Sequence, residues 1–516
     1  MGNLVETIVE QARESPDRDA MVFRGETWTY EELVGAIDAF AGGLTERGFE
    51  GSRVALYLPN VPPFVIGFHG TLQAGGQVVP MNPQYRAREI EHLLADSGAE
   101  VVVTLTDLAP VVRKVASATD VEEIVTIDGT SDDTTGFRAF LGDPGNAMAD
   151  VDGDELAVLP YTSGTTGRPK GVQLSHDNLA GNAKQMVQAL PDGVRPSDRV
   201  LGVLPLFHIY GMNVVMNVAL FGGGTFYPLP AWDVDEAVDL IEDAELTFLN
   251  GVPAMFNEIV NHPEADTFDL SSVRFAGVGG AGIPREVATS FEETFDIKLY
   301  EGYGLTETSP VTHFNSPNWG RRVGSIGKTL PGIQAEIVDG SFTEVPPVEE
   351  GPVDEEAADL DEITGELVVA GPNVMKGYLG LGEANEDAFT EAGGTRWFHT
   401  GDLGYHDEDG FFYVVDRKKH MILSKGYNVY PREVEELLFE HPEIADAAVV
   451  GKPDEEYGEL VKAFVVPTPD ADLDPDGVQE FALANLAPYK HPREVEVVDE
   501  LPRTTTGKVK KHELTG

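Results

Sequence analysis

Between Tyr161 and Val172 the chain reads YTSGTTGRPKGV. Gly164, Gly167 and Gly171 let backbone N–H groups approach an oxyanion, while Thr162, Ser163, Thr165 and Thr166 add hydroxyl donors and Lys170 adds a point charge. This set is suited to holding phosphates. It is not a Walker A loop, because Pro169 and Lys170 precede the last glycine and no Gly-Lys-Ser/Thr opens a helix. Cations are scarce elsewhere but clustered in two places: Arg417, Lys418, Lys419 and Lys425, then Arg503, Lys508, Lys510 and Lys511. Such islands in an acidic chain draw anionic ligands past a repulsive surface. Gly277-Val-Gly279-Gly-Ala-Gly282 has the G-x-G-x-x-G spacing of a dinucleotide fold, but sits mid-chain with no preceding strand–helix–strand unit legible. His208, in the apolar LPLFHIYG, has the setting of an ordinary core histidine.

The elements that must carry these residues alternate. Apolar runs such as VVVTL, DRVLGVLPL, LTFLNGV, VRFAGV and IKLYEGYG are followed by polar or helical stretches, which argues for parallel sheets in α/β layers. Val54 to Leu58 reads as a strand, Pro62 and Pro63 as a turn, and the residues after them as a buried helix. Leu201 to Trp232 holds no Asp, Glu, Lys or Arg, yet its prolines, asparagines and glycines exclude a membrane span, leaving a buried helix that lines an apolar cavity. The acidic stretch from Asp339 to Ile363 reads as a mobile loop. Beyond Asp416 the pattern changes to that of a small α+β unit with a helix after Pro431 and strands near 447–450 and 461–466.

With 36 Lys and Arg against 88 Asp and Glu, the net charge of −52 disfavours nucleic acid and anionic membrane surfaces as partners. Hydrophobic residues make up 41%, enough for cores, so the acidity belongs to the surface and suits a salt-rich, halophilic cytoplasm. The absence of cysteine excludes disulfides, thiolate-ligated metals and a thiolate nucleophile, so any thiol chemistry must use a substrate's sulfur. MGNLVETIVEQARESPDRD lacks the basic and apolar regions of an export signal, and a cytoplasmic protein is expected.

The loop at 161–172 resembles that of the acyl-adenylate-forming superfamily: acyl-CoA synthetases, firefly luciferases, aryl-CoA ligases and peptide-synthetase adenylation domains. The resemblance continues in the family's order through Leu204–Gly211, Tyr300–Thr308, Gly365–Leu367, Gly371–Leu379, His399–Gly404, Asp416–Lys419, Lys425–Pro431 and Thr506–Lys508. It implies an α/β fold: a large N-terminal domain (1–415) of layered, mostly parallel sheets plus a small barrel-like part, a hinge at 416–419 with Lys419 in the hinge position, and a small mobile α+β C-terminal cap (420–516) carrying Lys508. Substrates would be ATP, CoA and a small carboxylic acid, with Mg²⁺; a homodimer stays open.

By the same resemblance ATP or AMP contacts Thr162, Ser163, Gly164, Thr165, Thr166, Gly167, Lys170, Gly280, Ala281, Gly302, Tyr303, Gly304, Thr306, Asp402, Arg417 and Lys508. Gly279, Gly280 and Ala281 lie beside adenine and acyl group, and Asp402 accepts from both ribose hydroxyls. Glu307 is the magnesium ligand, with Thr162 within reach of the metal, consistent with the preference of Mg²⁺ for oxygen donors. Lys425, Gly426 and Tyr427 serve CoA. Catalysis falls to Lys508, His208, Thr306 and Glu307.

The chemistry requires such a site. A carboxylate cannot hand its acyl group to a thiol while oxide is the leaving group, so its oxygen is first joined to phosphorus. Cations must then neutralise both the approach of two anions and the departure of pyrophosphate. Phe207-His208 lacks the aspartate with which amino-acid-activating relatives pair the substrate's ammonium, and Gly304 stands where acetate-specific enzymes resemble one another in a pocket-shortening Trp. A deep apolar pocket for a medium- or long-chain fatty acid is the expectation. An aryl-CoA ligase or a luciferase-like oxidase using the same site, and more remotely an NAD-dependent oxidoreductase resting on Gly277–Gly282, are the alternatives.

Overall fold

Two parallel sheets, each fed by strand–helix alternation, carry most of the chain. The computed structural model describes residues 2–145, 148–163, 168–353, 360–424, 427–454, 457–468, 471, 473–504 and 508–515. In the first sheet, the strands Leu299–Gly304, Phe275–Gly279, Phe248–Gly251, Arg199–Gly202, Thr225–Pro228 and Asp19–Phe23 lie side by side and parallel. Val311–Phe314 and Lys328–Thr329 extend one edge antiparallel, and Glu26–Thr29 closes the other. In the second sheet Arg53–Tyr57, Gln77–Met81, Val101–Thr104 and Glu123–Thr126 are parallel, and the phosphate-loop strand Pro169–Ser175 joins antiparallel through Leu156–Val158.

Local chemistry explains the helices between them. Thr29 and Ser175 cap the helices Tyr30–Glu46 and His176–Ala189 by accepting from the backbone N–H of Glu32 and Asn178. The helix Pro62–Gln73 starts on two prolines, which lose nothing where no N–H is needed, and is buried at every position but Pro63. The uncharged 201–232 stretch forms the strand end, a wide-turned π-helix at Tyr210–Asn217 with Val218–Phe221 continuing it, and Thr225–Pro228. Its asparagines are satisfied inside the protein: Asn213 donates to the carbonyls of Leu179 and Ser309, and Asn217 to Asn213. No helix among the described residues is long and apolar enough to cross a membrane.

A five-stranded antiparallel sheet follows, built on the long strand Thr395–His406 flanked by Gly365–Ala370 and Phe412–Arg417; it is the part expected to be barrel-like. The next strand, Ile422–Ser424, already belongs to a fourth sheet with Tyr427–Val429, Gly458–Pro467, Ile444–Asp454 and Glu494–Val497. The last unit has its own core, around Val434, Val449, Ala463 and Val478.

Two expectations change. The stretch 339–363 is not uniformly loop: Leu360–Ile363 is helical, Val345 and Leu360 are buried, and the backbone N–H of Val353 donates to the Tyr405 hydroxyl at 3.1 Å. Sparse apolar residues anchor an acidic segment against aromatic neighbours, which net charge could not reveal. The residues 354–359 lie outside the described set. Gly277–Gly282 does stand in a strand–helix–strand setting, between Phe248–Gly251 with its helix Pro253–Val260 and the helix Arg285–Phe295, because the apolar runs on both sides are parallel neighbours. Tyr430, placed by sequence in the cap, packs with Tyr405 and Tyr413 of the preceding sheet, so the two units share a seam.

Candidate active site

The sheet face beneath the π-helix is nearly bare of side chains. Gly277 and Gly279 on one strand and Gly302 and Gly304 on the next turn a packed face into a trough, with Tyr300 and Phe275 at its ends. At Gly304 a Cβ would lie 1.9 Å from the Pro310 carbonyl oxygen, so this position is closed to any other residue by the neighbouring strand. Gly280 turns out of the strand with φ +84°, a conformation that favours glycine. Above the trough lies a cleft of about 610 Å³, partly open to solvent, whose lining includes His208, Tyr210, Gly280, Tyr303, Thr306 and, from the C-terminal unit, Lys508.

Of the sequence-predicted residues, His208, Gly280, Gly302, Tyr303, Gly304, Thr306 and Lys508 meet in this cleft. Ala281 does not line it and is exposed, since the chain turns outward after Gly280. Asp402 and Arg417 stand directly behind Tyr303. They are register partners on adjacent strands, Arg417 Nε lies 2.9 Å from Asp402 Oδ1, and the Tyr303 hydroxyl donates to Asp402 Oδ2 at 2.5 Å. A carboxylate has about four acceptor sites, so Asp402, 2% exposed, retains capacity for a sugar hydroxyl. Burial, reinforced by Asp402, pushes the Tyr303 phenol well above its ordinary range.

The phosphate segment is a hairpin: Pro169 pairs with Ser163, Lys170 with Thr162 and Gly171 with Tyr161. Gly164, Thr165, Thr166 and Gly167, at its tip, lie outside the described residues, as does the Ser163 side chain. Lys170 Nζ lies 4.9 Å from the centre of the Tyr378 ring, and the Tyr378 hydroxyl donates to Glu307 Oε1 at 2.9 Å. Tyr378 thus connects the hairpin to the carboxylate. Sequence reasoning quoted its motif without assigning it a role; only the pairing of Gly377–Tyr378 with the hairpin strand at Val172 and Gln173 places it there. Glu307, 9% exposed, sits on a single turn, Thr306–Thr308, whose Thr308 carbonyl accepts from Asn373 at 2.7 Å. Among the described residues no group of three or more His, Asp or Glu side chains could hold a metal alone. A buried carboxylate with one oxygen engaged by Tyr378, near the Thr162 strand, fits a hard cation held mostly by a triphosphate.

Two basic groups of the cleft also have altered proton affinity. Lys508 keeps solvent-accessible surface, yet the cleft crowds it; burial first, then Arg417, brings its ammonium down to about 8 against the pull of Asp402 and Glu307. His208 is lowered to about 3 by burial and by Lys508. It is neutral, and its Nδ1 accepts from the Tyr210 backbone N–H at 3.3 Å, so Nε2 carries the hydrogen. Lys419, exposed at the surface beside Arg417, is also lowered, by partial desolvation first and then by Arg417. Lys425, Gly426 and the side chain of Tyr427 lie outside the described residues.

One carboxylate escaped the sequence reading. Glu301 alternates with Tyr300 and Gly302, so it faces away from the trough; it is 8% exposed and its carboxyl is raised to about 7 by burial, with Arg432 of the C-terminal unit opposing. The Arg432 guanidinium occupies the space that a Gly282 side chain would need. A glutamate inside an apolar strand run, one residue before a glycine, was the available signal.

An open cleft over a glycine trough, a hairpin bearing hydroxyls and Lys170, and the buried carboxylates Glu307 and Asp402 come together here around one lysine from a second unit. The AMP-binding enzyme family matches residues 8–379, and the AMP-binding enzyme C-terminal domain matches residues 433–508. A long-chain-fatty-acid–CoA ligase of Bacillus subtilis (strain 168) is 36% identical over 546 residues, covering 98% of this chain and 93% of its own. A feruloyl-CoA synthase of Amycolatopsis sp is 35% identical over 509 residues, covering 98% and 97%. Among solved structures, ATP-bound MatB from Rhodopseudomonas palustris superposes with a TM-score of 0.89 at 31% identity, covering 100% of this chain and 98% of that one. Apo MatB, also 31% identical and covering 100% and 98%, superposes with a TM-score of 0.79. Motif order, fold and end-to-end similarity agree, and the chain belongs to the AMP-binding enzyme family.

Proposed function

We propose that this protein is an AMP-forming acyl-CoA synthetase acting on medium- or long-chain fatty acids. A carboxylate oxygen attacks the α-phosphorus of ATP, the bond to the β-phosphate oxygen breaks and pyrophosphate leaves. The sulfur of CoA then attacks the acyl carbon, its proton is lost to solvent, and the bond to AMP breaks. The observation that carries this reading is Lys508, on the C-terminal unit, in a cleft with His208 and Thr306 at one end of a glycine trough. The fatty-acid substrate class is supported by the trough's apolar surroundings and by the name of the Bacillus relative.

The residues act as follows. Lys508 and Lys170 set positive charge against the α-phosphate and the leaving pyrophosphate, where negative charge accumulates. Neutral His208 donates from Nε2 to orient the carboxylate and moves no proton. Tyr303 supplies an aromatic face to the base, while Asp402 accepts from the ribose and Arg417 fixes Asp402. Glu307, with Thr162, holds Mg²⁺; when bound, the ion neutralises phosphate charge. For the second step the cap turns about 416–419, with Lys419 at the pivot, and Lys425, Gly426 and Tyr427 come to serve CoA. The superposition on the ATP-bound relative supports the present arrangement as the adenylating one. The acidic surface supports work in a salt-rich cytoplasm.

The test is pyrophosphate release at high KCl with acids from acetate to palmitate, plus cinnamate and benzoate, with and without CoA. Acid-dependent release, with acyl-CoA formed when CoA is added, is expected. Pyrophosphate release with none of these acids, at any salt concentration, refutes the enzyme assignment. Adenylate consumed by O₂ and not by CoA refutes the synthetase in favour of an oxidase.

A further inference from the structure

Beside the trough, under the π-helix, lies a narrow void with room for about one water molecule, and the two share Met186, Val214, Asn250 and Phe275. Those four side chains form a neck between them. Past the neck the lining is Leu190, Val194, Val200, Val215 and Val218 with their apolar neighbours, and Asn250 is the one polar residue among them.

Asn250 is out of place in that wall. It is 5% exposed, on a strand whose residues are all buried, and its side-chain amide makes no hydrogen bond to any described residue. The amides of Asn182, Asn213 and Asn217, buried nearby, are all engaged. Its Oδ1 lies 2.5 Å from where a Cβ on Gly277 would be, so the missing side chain at 277 gives the amide its room. Its polar atoms keep open cleft space beside them, so water satisfies them in the empty site and an acid that enters must replace that water with a polar group of its own.

The position of that group can be bounded. Asn250 pairs with Gly277, and Gly279, two residues on, pairs with Gly302 beside Tyr303. Two strand spacings of about 4.8 Å and two rises of about 3.3 Å separate Asn250 from Gly302 by about 12 Å between Cα atoms. With the carboxylate held near Lys508 and His208, the amide reaches the middle of an alkyl chain or the far edge of an arylpropenoate ring.

We propose that Asn250 is a specificity-determining residue that selects acids bearing a hydroxyl oxygen at this depth, on an aromatic ring or part-way along an alkyl chain. This rests on the reading of the cleft as the acyl site and narrows its substrate. An unsubstituted chain passing the amide strips it of water and gives nothing back. A hydroxyl there both donates to Oδ1 and accepts from Nδ2.

The experiment measures kcat/KM for acid-dependent pyrophosphate release with two matched pairs: 4-hydroxycinnamate against cinnamate, and a fatty acid hydroxylated at carbon 7 to 9 against its parent. At least one pair is expected to show a preference of about 10- to 100-fold for the hydroxylated acid. Which pair shows it identifies the source of the hydroxyl as aryl or alkyl. In Asn250→Leu that ratio falls toward one, and in Asn250→Thr, which keeps a hydroxyl in the wall, it is largely retained. Folding of both variants is checked by thermal unfolding, and if Asn250→Leu does not fold, the parent's preference and its behaviour in Asn250→Thr decide. Equal or greater activity with both unsubstituted acids overturns the proposal while leaving the synthetase reading intact. Pyrophosphate release with none of the acids overturns that reading instead.

Discussion

Lys508 ties the charge of the cleft to pH. With its ammonium at about 8, the free enzyme has the lysine about nine-tenths charged at pH 7 and about one-tenth charged at pH 9. Adenylate formation uses the charged form, so kcat/KM for acid-dependent pyrophosphate release is expected to fall about tenfold between those pH values. The limb belongs to kcat/KM, because bound ATP adds negative charge and draws the proton affinity upward. His208, at about 3, contributes no limb between pH 5 and 9. Lys508→Arg keeps its charge throughout and loses the descending limb, at a lower rate because the planar guanidinium does not reproduce the ammonium's point contact. Lys508→Ala should slow adenylation by about 10²- to 10³-fold, yet leave thioester formation from supplied acyl-AMP nearly intact. Stopped-flow pyrophosphate release and acyl-CoA formation from synthetic adenylate measure the two steps separately. An unchanged limb in Lys508→Arg, or equal loss of both steps in Lys508→Ala, refutes the reasoning.

Tyr378→Phe removes the hydroxyl that engages Glu307 and leaves the ring under Lys170. A bond to a charged acceptor contributes about 1.5 kcal/mol, so KM for MgATP should rise about tenfold with KM for the acid unmoved; a change in the acid's KM alone would contradict the assignment. Glu301→Gln tests the buried carboxylate on the far side of the sheet. Its folded proton affinity, about 7, exceeds the ordinary 4.5, so the folded state holds more protons than the unfolded one between these values and stability falls as pH rises through them. The variant escapes that loss, and its stability relative to the parent should improve by about 2 to 3 kcal/mol from pH 4 to pH 8, read by urea unfolding. A difference independent of pH would show that Glu301 is ionised in the folded state.

Sequence alone determined a good deal of this protein. Motif order gave the family resemblance, the alternating apolar runs gave the parallel layers, and the prolines and asparagines of 201–232 excluded a membrane span. These features are local: spacing and residue type suffice to show them. The cap helix behind Pro431 was legible because proline marks a helix start in any context. Tyr378 was not, since its meeting with Glu307 spans 71 positions and depends on a two-residue strand pairing with the phosphate hairpin. Nor was Asn250, whose neighbours in LTFLNGV predict only a buried strand; its exposure to two cavities arises because Gly277 lies opposite and the π-helix stands off above. The proton affinities of Lys508 and Glu301 likewise follow from crowding and from charges that strand register brings together. Residue type fixes what a side chain can do, whereas burial and the partners supplied by distant strands decide in which charge state, and toward which ligand, it does so.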